Sequence, residues 1–357
     1  MVYAVIMAGG VGSRFWPRSR QDRPKQFINV FGQATLIQNT VARLQGLIPP
    51  ERCLIVTHER YVQQTHEQLP AVPLENILAE PMSRNTAPCI AYAAAQLLAR
   101  DPDATMVVLP ADHLIQNVKQ FHKVLEVAIE QAQQPEALVT IGITPTHPET
   151  GYGYIQFDGT INMNEAARSY AVKTFAEKPD LPTAESFIDS GDFLWNSGMF
   201  IWRADTIMAQ FKEHLPEAHD AFTPYFDAVG TDREREVITA AFMKCPKISI
   251  DYGVMERAHT VFVVPGSFGW NDVGDWRAVY ALSDKNDHGN AIQGNVIVHD
   301  SSRCLVQGGE RLIVLVGIHD AVVVDTEDAV LVCNQESAQQ VKNVVDYLNV
   351  HQLNQYI

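Results

Sequence analysis

Short apolar segments alternate with amphipathic helical patterns from the N-terminus to about residue 145, and this alternation restricts the fold more than any other feature of the sequence. The segments predicted to be strands are Val2–Ala8, Cys53–Thr57, Asn76–Ala79, Thr105–Leu109 and Ala137–Ile143. The segments predicted to be helices are Thr35–Leu47, His58–Leu69, Arg84–Ala99 and Val118–Gln133. This order predicts an α/β fold with a mostly parallel, doubly wound sheet, which binds ligands beyond the carboxyl ends of its strands.

The alternation becomes less regular after residue 150. The further segments predicted to be strands are Gly151–Phe157, Ala171–Glu177, Asn196–Trp202 and 260–264. Helical patterns occur near Thr183–Ser190, between Asp205 and Lys244, and at 249–258. Beyond about Asn290, short Val, Ile and Leu triplets recur between Gly, Asp, Ser and His, which predicts a small stacked β unit or β-helix closed by a helix at Gln335–Leu348. We therefore predict a first domain of residues 1–275 and a C-terminal module of residues 276–357.

A glycine-rich loop follows the first predicted strand and leads into a basic run. Its glycines are Gly9, Gly10 and Gly12, and its cations are Arg14, Arg18, Arg20, Arg23 and Lys25. Glycines let backbone N–H groups approach phosphate oxygens, while Arg and Lys supply the opposing charge. Since the whole chain has a net charge of −15, this local excess of cations predicts a polyphosphate site; the alternative is a solvated charged surface.

Two better-known phosphate loops do not fit this segment. A dinucleotide-binding G-x-G-x-x-G would need glycine at Phe15 and a helix directly after Ser13. A Walker loop would need its lysine close to the glycines in sequence and followed by Ser or Thr. Lys25 instead comes thirteen residues after Gly12 and is followed by Gln26. The loop instead contains Trp-Pro-Arg and Arg-Pro-Lys, whose prolines stiffen it.

The composition restricts partners and location. An acidic chain with 42 Asp and Glu against 27 Lys and Arg is a poor partner for duplex nucleic acid or an anionic membrane. The odd number of five cysteines, without a C-x-x-C pair, predicts neither a disulfide framework nor a zinc site and fits a reducing cytoplasm. We expect no signal peptide and no membrane span, because the apolar runs are too short.

Two aspartates are candidates for holding a divalent cation. Asp112 follows a buried predicted strand, and Asp272 lies at another boundary between strand and turn. Mg²⁺ usually takes one or two protein carboxylates and completes its shell with phosphate and water. The alternatives are that Asp112 caps a helix and that Asp275 replaces Asp272 as ligand. His113 could be a ligand, but a lone histidine more often orients a loop.

Other polar residues lie at predicted strand ends or at a helix start. Lys178 follows a strand and precedes a proline, so it is a candidate phosphate clamp, although most lysines are surface residues. Glu177 and Asn196 offer the carboxylate and amide that sugar hydroxyls require. The segment Glu80–Thr86 precedes the alanine-rich predicted helix, where free N–H groups favour an anion or a polar base edge.

Together these segments resemble one family along nearly the whole chain, in order. They are Gly9-Gly-Val-Gly-Ser-Arg14, Arg23-Pro-Lys-Gln-Phe27, Glu80-Pro-Met-Ser-Arg-Asn-Thr-Ala-Pro88, Leu109-Pro-Ala-Asp-His113, Phe175-Ala-Glu-Lys-Pro179, Trp195-Asn-Ser-Gly-Met-Phe200 and Asn271-Asp-Val-Gly-Asp-Trp276. The chain resembles the bacterial mannose-1-phosphate guanylyltransferases, also called GDP-mannose pyrophosphorylases. The glycine-rich motif alone indicates a sugar nucleotidyltransferase, and the Arg-Asn-Thr-Ala-Pro and Pro-Lys-Gln-Phe motifs point to guanosine and mannose.

The resemblance implies a fold and an assembly. The fold is a glycosyltransferase-A-like, Rossmann-like α/β domain with a mostly parallel sheet, followed by a small left-handed β-helix module that often mediates dimerisation. We therefore expect a homodimer, in the reducing cytoplasm that the cysteine usage indicates. The longer bifunctional relatives carry an added phosphomannose isomerase domain of the cupin type, so isomerase activity is not expected of this chain.

The resemblance also implies a reaction and a set of site residues. GMP passes from GTP to mannose 1-phosphate, with Mg²⁺ or another divalent cation as cofactor. The implied nucleotide-binding residues are Ala8, Gly9, Gly10, Gly12, Ser13, Glu80, Arg84, Asn85, Thr86 and Asp112. Gly151, Glu177, Lys178 and Asn196 are implied for the sugar phosphate; Arg14, Lys25 and Lys178 for catalysis; and Asp112 and Asp272 for the metal.

Three alternatives stay open on the sequence alone. The first is a nucleotidyltransferase for another pair, such as glucose 1-phosphate with UTP or dTTP. The second is a non-catalytic sugar-nucleotide sensor on the same fold, because a fold does not guarantee a reaction. The third is a dehydrogenase, which NAD binding would reveal.

Overall fold

The protein is described here from a computed structural model, which covers residues 1–159 and 167–357. Contacts group the chain into two compact units. Unit 1 comprises Met1–Gly9, Thr40–Ala111 and Ile115–Trp270, and unit 2 comprises Gly10–Asn39, Asp112–Leu114 and Asn271–Ile357. The boundary predicted between residues 275 and 276 divides the chain by sequence order, and it stays a prediction.

The strands alternate with helices in the first half of the chain and dominate its C-terminal part. The strands are β1 Val2–Ala8, β2 Cys53–His58, β3 Ile77–Glu80, β4 Thr105–Pro110, β5 Leu114–Ile115, β6 Leu138–Ile143, β7 Gly153–Phe157, β8 Tyr170–Glu177, β9 Phe193–Arg203, β10 Val261–Gly266, β11 Trp270–Asn271, β12 Ala291–Gln293, β13 Val296–His299, β14 Leu305–Gln307, β15 Ile313–Val316, β16 Ala321–Asp325 and β17 Val330–Asn334.

The α-helices are mostly short. They are α1 Leu36–Ala42, α2 Val62–Gln68, α3 Thr86–Arg100, α4 Val118–Ala132, α5 Leu181–Ser190, α6 Ala204–His214, α7 Pro216–Phe222, α8 Glu234–Lys244, α9 Trp276–Leu282 and α10 Val341–Val350. Short 3₁₀ turns form the first part of two of the predicted helices: Glu59–Tyr61 leads into α2, and Gln335–Gln340 leads into α10. The predicted helices at His58–Leu69 and Gln335–Leu348 therefore exist in part as 3₁₀ structure.

Unit 1 is built on a nine-stranded sheet with the order β3-β2-β1-β4-β9-β6-β10-β8-β7. β1 pairs in parallel with β2 and β4, and β6 pairs in parallel with β10. β9 lies antiparallel between β4 and β6, so β3, β2, β1, β4, β6 and β10 share one direction. The mostly parallel sheet predicted from the sequence is confirmed, and the carboxyl ends of β1, β4 and β3 lie at the same edge.

The central strands are apolar because both faces of the sheet are covered. Val5 and Ile6 of β1 and Val107 of β4 are completely buried, as expected for parallel strands between two layers. The alanine-rich α3 is buried along most of its length, from Ala87 to Leu97. Its small side chains allow close packing within a core to which α6, α7 and α8 also contribute.

Two helical predictions were wrong in extent. α1 ends at Ala42 and not at Leu47, because Gly46 has a φ of 94° and Leu47 bonds back to Leu44 in a tight turn. The segment 249–258 forms only a π-helical turn, Asp251–Met255. There the Ile250 N–H, at the start of the turn, donates to the Thr86 hydroxyl at 2.9 Å.

Unit 2 contains the β-helix-like module. β12, β14 and β16 pair in parallel, β13 pairs in parallel with β15, and β17 closes the stack antiparallel to β16. Cys304, Val306, Leu315 and Val323 fill the interior of the coil. A second cluster joins the outer face of β16 to α9, α10 and the aromatic residues Phe15, Trp16 and Trp276. The β-helix-like architecture is confirmed, and its left-handedness stays a prediction.

Candidate active site

A pocket of about 370 Å³ in unit 2 collects most of the residues predicted for phosphate and metal. We call it the Lys25 pocket. It is lined by Gly12, Ser13, Arg14, Phe15, Lys25, Asp112, His113, Asp272, Gly274 and Lys342. The glycine-rich loop, the segment after β4 and the segment after β11 all contribute to it, although they are far apart in the sequence.

Lys25 lines this pocket and is almost completely buried, with 6% of its surface exposed. Its Nζ donates to the Asp112 carboxylate at 2.8 Å and to the backbone carbonyl of Asp272, also at 2.8 Å. The same nitrogen lies 5.4 Å from the centre of the Phe15 ring, a cation–π distance. One lysine therefore joins the two aspartate segments.

Gly12 must be glycine for two separate reasons. Its φ is 71°, in the left-handed region that L side chains rarely adopt. A Cβ at this position would also lie 2.3 Å from the Cβ of Lys25, which is inside van der Waals contact. The loop thus needs glycine here to let Lys25 enter the pocket.

Asp112 is held as an anion. Removal from water would raise its pKa, but the charges of Lys25 and His113 outweigh this, so its pKa lies below the usual value. His113 Nε2 is 3.9 Å from the Asp112 carboxylate. Asp112 caps no helix, because the short β5 follows it and Asn117 caps α4. The capping alternative for Asp112 is therefore wrong.

The structure also shows that Asp272 and Asp275 have different roles. Asp275 is buried and caps α9, where its carboxylate accepts from the Ala278 N–H at 3.1 Å. Asp272 lines the Lys25 pocket with Asp112. No cluster of three or more His, Cys, Asp or Glu suited to a metal occurs among residues 1–159 and 167–357. Two hard carboxylates in a pocket fit Mg²⁺, which takes its other ligands from phosphate and water.

The basic run divides into residues that face the pocket and residues that hold the loop. Arg14 is exposed and lines the Lys25 pocket. Arg18 instead donates to the Asn29 carbonyl and the Gln307 side chain, both at 3.2 Å. Arg20 donates to the Asp328 carboxylate at 2.8 Å. Arg18 and Arg20 therefore have partners within the protein, and the polyphosphate site stays a prediction.

Unit 1 contains a second polar group, centred on Asn196 of β9. Its Nδ2 donates to Asp251 at 2.7 Å, while its Oδ1 accepts from the Gly198 N–H at 3.1 Å and the Thr140 hydroxyl at 3.4 Å. Burial and the nearby charge of Glu177 raise the pKa of Asp251. We call Asn196, Asp251, Glu177 and their hydrogen-bonding partners the Asn196 cluster.

Glu177 and Lys178 end β8 beside this cluster. Lys178 is 60% exposed, has a φ of 47° and donates to Glu177. A Cβ on Gly153 would lie 2.5 Å from a Glu177 oxygen and 3.4 Å from the Asn196 Cβ. Gly153 therefore borders the cluster, whereas the predicted Gly151 donates its N–H to Glu149 at 2.8 Å.

The predicted guanosine residues lie around the start of α3, also in unit 1. Asn85 caps the helix and accepts from the Thr86 N–H at 2.8 Å, with an unusual φ of 70°. Arg84 reaches the Met243 carbonyl at 3.4 Å. Glu80 is 6% exposed, one of its oxygens has no partner among the described residues, and burial raises its pKa to about 7.

Ala8 and Gly9, both predicted to bind nucleotide, lie at the end of β1 in unit 1. Ala8 is buried and Gly9 is exposed. A Cβ on Gly9 would lie 4.0 Å from a Glu80 oxygen. Gly10 has a φ of 86° with open space around it, so it needs glycine for its backbone conformation alone.

Sequence reasoning missed three residues that the structure places at these sites. Asp251 lies in a segment predicted to be helix, Gly153 belongs to the same motif as Gly151, and Lys342 comes from α10. Only Gly153 had a local signal, since glycines recur in Gly151–Phe157. Asp251 and Lys342 are brought to their places by tertiary packing.

The cysteines show no sign of a reactive thiol. All five are free, and Cys53, Cys89, Cys245 and Cys304 are buried. Burial raises the pKa of Cys245 to about 11 and that of Cys53 to about 12, which disfavours the nucleophilic thiolate. Across residues 1–159 and 167–357, the helices are all too short or too polar to cross a lipid bilayer.

Comparison with known proteins defines the class of the protein. The nucleotidyl transferase family model matches residues 3–288, and the chain belongs to this family. The model of the mannoseP isomerase/GMP-like beta-helix domain matches residues 294–348. These matches agree with the sheet of unit 1 and with the coil of short parallel strands in unit 2.

Individual relatives indicate which group within this family the chain belongs to. The mannose-1-phosphate guanylyltransferase of Klebsiella pneumoniae is 41% identical over 361 residues, covering 100% of this chain and 76% of that protein. The alginate biosynthesis protein AlgA of Pseudomonas aeruginosa is 41% identical over 350 residues, covering 97% of this chain and 72% of that protein. The chain is thus a member of the mannose-1-phosphate guanylyltransferase group of nucleotidyltransferases, and the resemblance found in the sequence is confirmed.

A solved structure supports the same placement. It is described as mannose-1-phosphate geranyltransferase from Thermus thermophilus and is 34% identical in sequence. The two structures superpose with a TM-score of 0.88, covering 98% of this chain and 99% of the other. The similarity therefore extends over the sheet domain and the β-helix-like module.

Proposed function

We propose that the protein transfers GMP from GTP to mannose 1-phosphate and releases pyrophosphate. A phosphate oxygen of mannose 1-phosphate forms a bond to the α-phosphorus of GTP, and the bond from that phosphorus to the bridging oxygen of the β-phosphate breaks. The single observation that carries this proposal is the Lys25 pocket, where a glycine loop, cations and two aspartates converge in one small cavity.

The chemistry explains why the pocket holds cations and carboxylates and needs no activated nucleophile. The attacking phosphate is already an anion near neutral pH, so no base has to remove a proton. Catalysis then depends on positioning two anions in line and stabilising charge on the leaving pyrophosphate. Arg14 and Lys25 supply that charge, while Gly10, Gly12 and Ser13 expose backbone N–H groups to phosphate oxygens.

Asp112 and Asp272 are the residues that would hold Mg²⁺. Their oxygens are hard ligands, and the lowered pKa of Asp112 keeps it ionised at the pH of the cell. When bound, the cation would neutralise charge on the triphosphate and polarise its α-phosphate. Lys25 contacts both aspartate segments and fixes the position of the Asp112 carboxylate.

Within unit 1, two polar groups are proposed to bind the sugar phosphate and the guanosine. The Asn196 cluster has amide and carboxylate groups for the sugar hydroxyls, with Lys178 as the cation for the sugar phosphate. Gly151, also proposed for the sugar phosphate, closely precedes Gly153, which borders the cluster. Glu80, Arg84, Asn85 and Thr86 are proposed to surround the guanosine. Support comes from the convergence of Thr140, Asn196 and Asp251 in one hydrogen-bonded group.

We also propose a cytoplasmic homodimer. The outer face of β13 and β15 exposes Ile297, Val314 and Val316 at 54%, 54% and 60%, and neighbouring exposed apolar residues commonly mark an interface. Light scattering of the wild type and of Val314→Lys tests the assembly. A wild-type mass of one chain would contradict it, and a dimer that survives the substitution would place the interface elsewhere.

The function is tested by incubating purified protein with Mg²⁺, mannose 1-phosphate and each common nucleoside triphosphate, and measuring pyrophosphate. We expect release with GTP and mannose 1-phosphate. Faster release with UTP or dTTP and glucose 1-phosphate would support the other substrate pair, and nucleotide binding without turnover would support a sensor. Asp112→Asn should raise the Mg²⁺ concentration needed for activity, whereas an unchanged metal titration would place the metal elsewhere.

A further inference from the structure

Lys342 is a lining residue of the Lys25 pocket to which the sequence motifs assign no role. It is the second residue of α10, and the other lining residues come from the segments around Gly12, Lys25, Asp112 and Asp272. It is also the only Lys or Arg after Arg311 in the sequence. The one such cation of this long C-terminal stretch therefore lies at the pocket.

Packing holds α10 in this position. Val341, Val345 and Leu348 of α10 are buried in the same apolar cluster as Phe15 and Trp16 of the N-terminal loop. Trp16 Nε1 also donates to the Tyr356 carbonyl at 2.7 Å. Because Val341 is anchored, the adjacent Lys342 starts from a fixed backbone position at the rim of the pocket.

The buried cation of the pocket is already bonded to other residues of the pocket, whereas Lys342 is not. Lys25 is engaged with Asp112 and Asp272. Lys342 is exposed and makes no ion pair with any other residue that the structure describes. The charge of Lys342 is therefore not neutralised by a carboxylate among the described residues and suits an anionic ligand.

We propose that Lys342 is a phosphate-binding residue for the β- and γ-phosphates of the nucleoside triphosphate and for the pyrophosphate that leaves. The inference rests on the proposed function, because it assumes that the Lys25 pocket takes the triphosphate. It makes α10, which follows the β-helix-like module, a part of the nucleotide site. Loss of a contact between charged groups weakens binding by about tenfold or more.

The test compares Lys342→Gln with Lys342→Arg and with a matched control, Lys119→Gln. Lys119 is also exposed and is also the second residue of a helix that begins Val-Lys, but it does not line the pocket. Binding of GTP, GMP and pyrophosphate is measured by calorimetry in the absence of the sugar phosphate. Kinetic constants and melting temperatures are measured for each variant.

We expect Lys342→Gln to weaken GTP and pyrophosphate binding about tenfold, to leave GMP binding unchanged and not to lower the melting temperature. Lys342→Arg should retain most GTP affinity, and Lys119→Gln should match the wild type. Equal losses for GTP and GMP, or no loss for GTP, would overturn the role of Lys342. If Lys25→Ala also bound GTP normally, the proposed nucleotide pocket itself would be wrong, which distinguishes the two failures.

Discussion

The side-chain amide of Asn196 donates to the carboxylate of Asp251, with 2.7 Å between Nδ2 and Oδ1. The amide oxygen of Asn196 is fixed separately by the Gly198 N–H and the Thr140 hydroxyl. Both ends of this amide are therefore held before any ligand arrives. Pre-formed orientation of this kind lowers the cost of ordering a binding group.

Removing the acceptor should release the amide. We expect Asp251→Ala to raise the KM for mannose 1-phosphate by about tenfold, the value of one hydrogen bond to a charged group, and to leave the KM for GTP unchanged. Asp251→Asn keeps an acceptor oxygen and should show a smaller effect. Steady-state kinetics with each substrate varied in turn provide the measurement. A larger change for GTP than for the sugar phosphate would separate Asp251 from the sugar.

Two glycines have the same φ, but only one of them lies against Lys25. Substituting each therefore separates the cost of the backbone angle from the cost of the contact with Lys25. Gly12 and Gly32 both have a φ of 71°, but a Cβ on Gly32 would have no atom within 4 Å. We expect Gly32→Ala to cost about 1–2 kcal/mol of unfolding free energy through backbone strain. Gly12→Ala should cost more and should also lower turnover, because it displaces Lys25. Equal stability losses with full activity would show that the loop adjusts around the new methyl group.

The division of the basic run predicts two kinds of arginine variant. Arg14→Ala should reduce pyrophosphate release by about 10²-fold, by analogy with the loss of one electrostatic donor, without changing the melting temperature. Arg20→Ala removes hydrogen bonds to Asp328 and to the Tyr356 carbonyl and should lower the unfolding free energy by about 1–3 kcal/mol. Turnover and thermal melting of both variants give four values to compare. A drop in melting temperature for Arg14→Ala alone would reverse these assignments.

The buried Glu80 should make stability depend on pH. Burial raises its pKa from 4.5 to about 7, so between these values the folded state holds a proton that the unfolded state has lost. Stability therefore falls as the pH rises through this window. Glu80→Gln lacks the effect, so its stability relative to wild type should improve between pH 4.5 and pH 7 by up to about 3 kcal/mol. Urea denaturation of both proteins at several pH values measures this, and parallel curves would contradict it.

The sequence predicted the parts of the fold that depend on local pattern. The bounds predicted for the first strand, Val2–Ala8, agree with β1. The predicted helix Arg84–Ala99 corresponds closely to α3, Thr86–Arg100. The end of α1 was missed because Gly46 adopts a positive φ within an otherwise helical pattern. The segment 249–258 forms only the turn Asp251–Met255, and the N–H at its start is bonded to the Thr86 hydroxyl, which is distant in sequence.

The same distinction applies to the candidate sites. Arg14, Lys25 and Asp112 were proposed from motifs, and the structure places them in one pocket. Charge density alone could not separate Arg14 from Arg18 and Arg20, because the partners of the latter two come from the C-terminal part of the chain. Asp251 and Lys342 are brought to these sites by tertiary packing, so no local sequence pattern predicts that they belong there.

The hydrogen bond from Trp16 to the Tyr356 carbonyl joins residues 340 positions apart. During translation the glycine-rich loop leaves the ribosome early, whereas this acceptor leaves only after the whole β-helix-like module has been made. A nascent chain released before residue 328 would also lack the Asp328 partner of Arg20. The loop should therefore adopt its folded conformation only late in synthesis. Prematurely terminated chains should consequently not bind nucleotide.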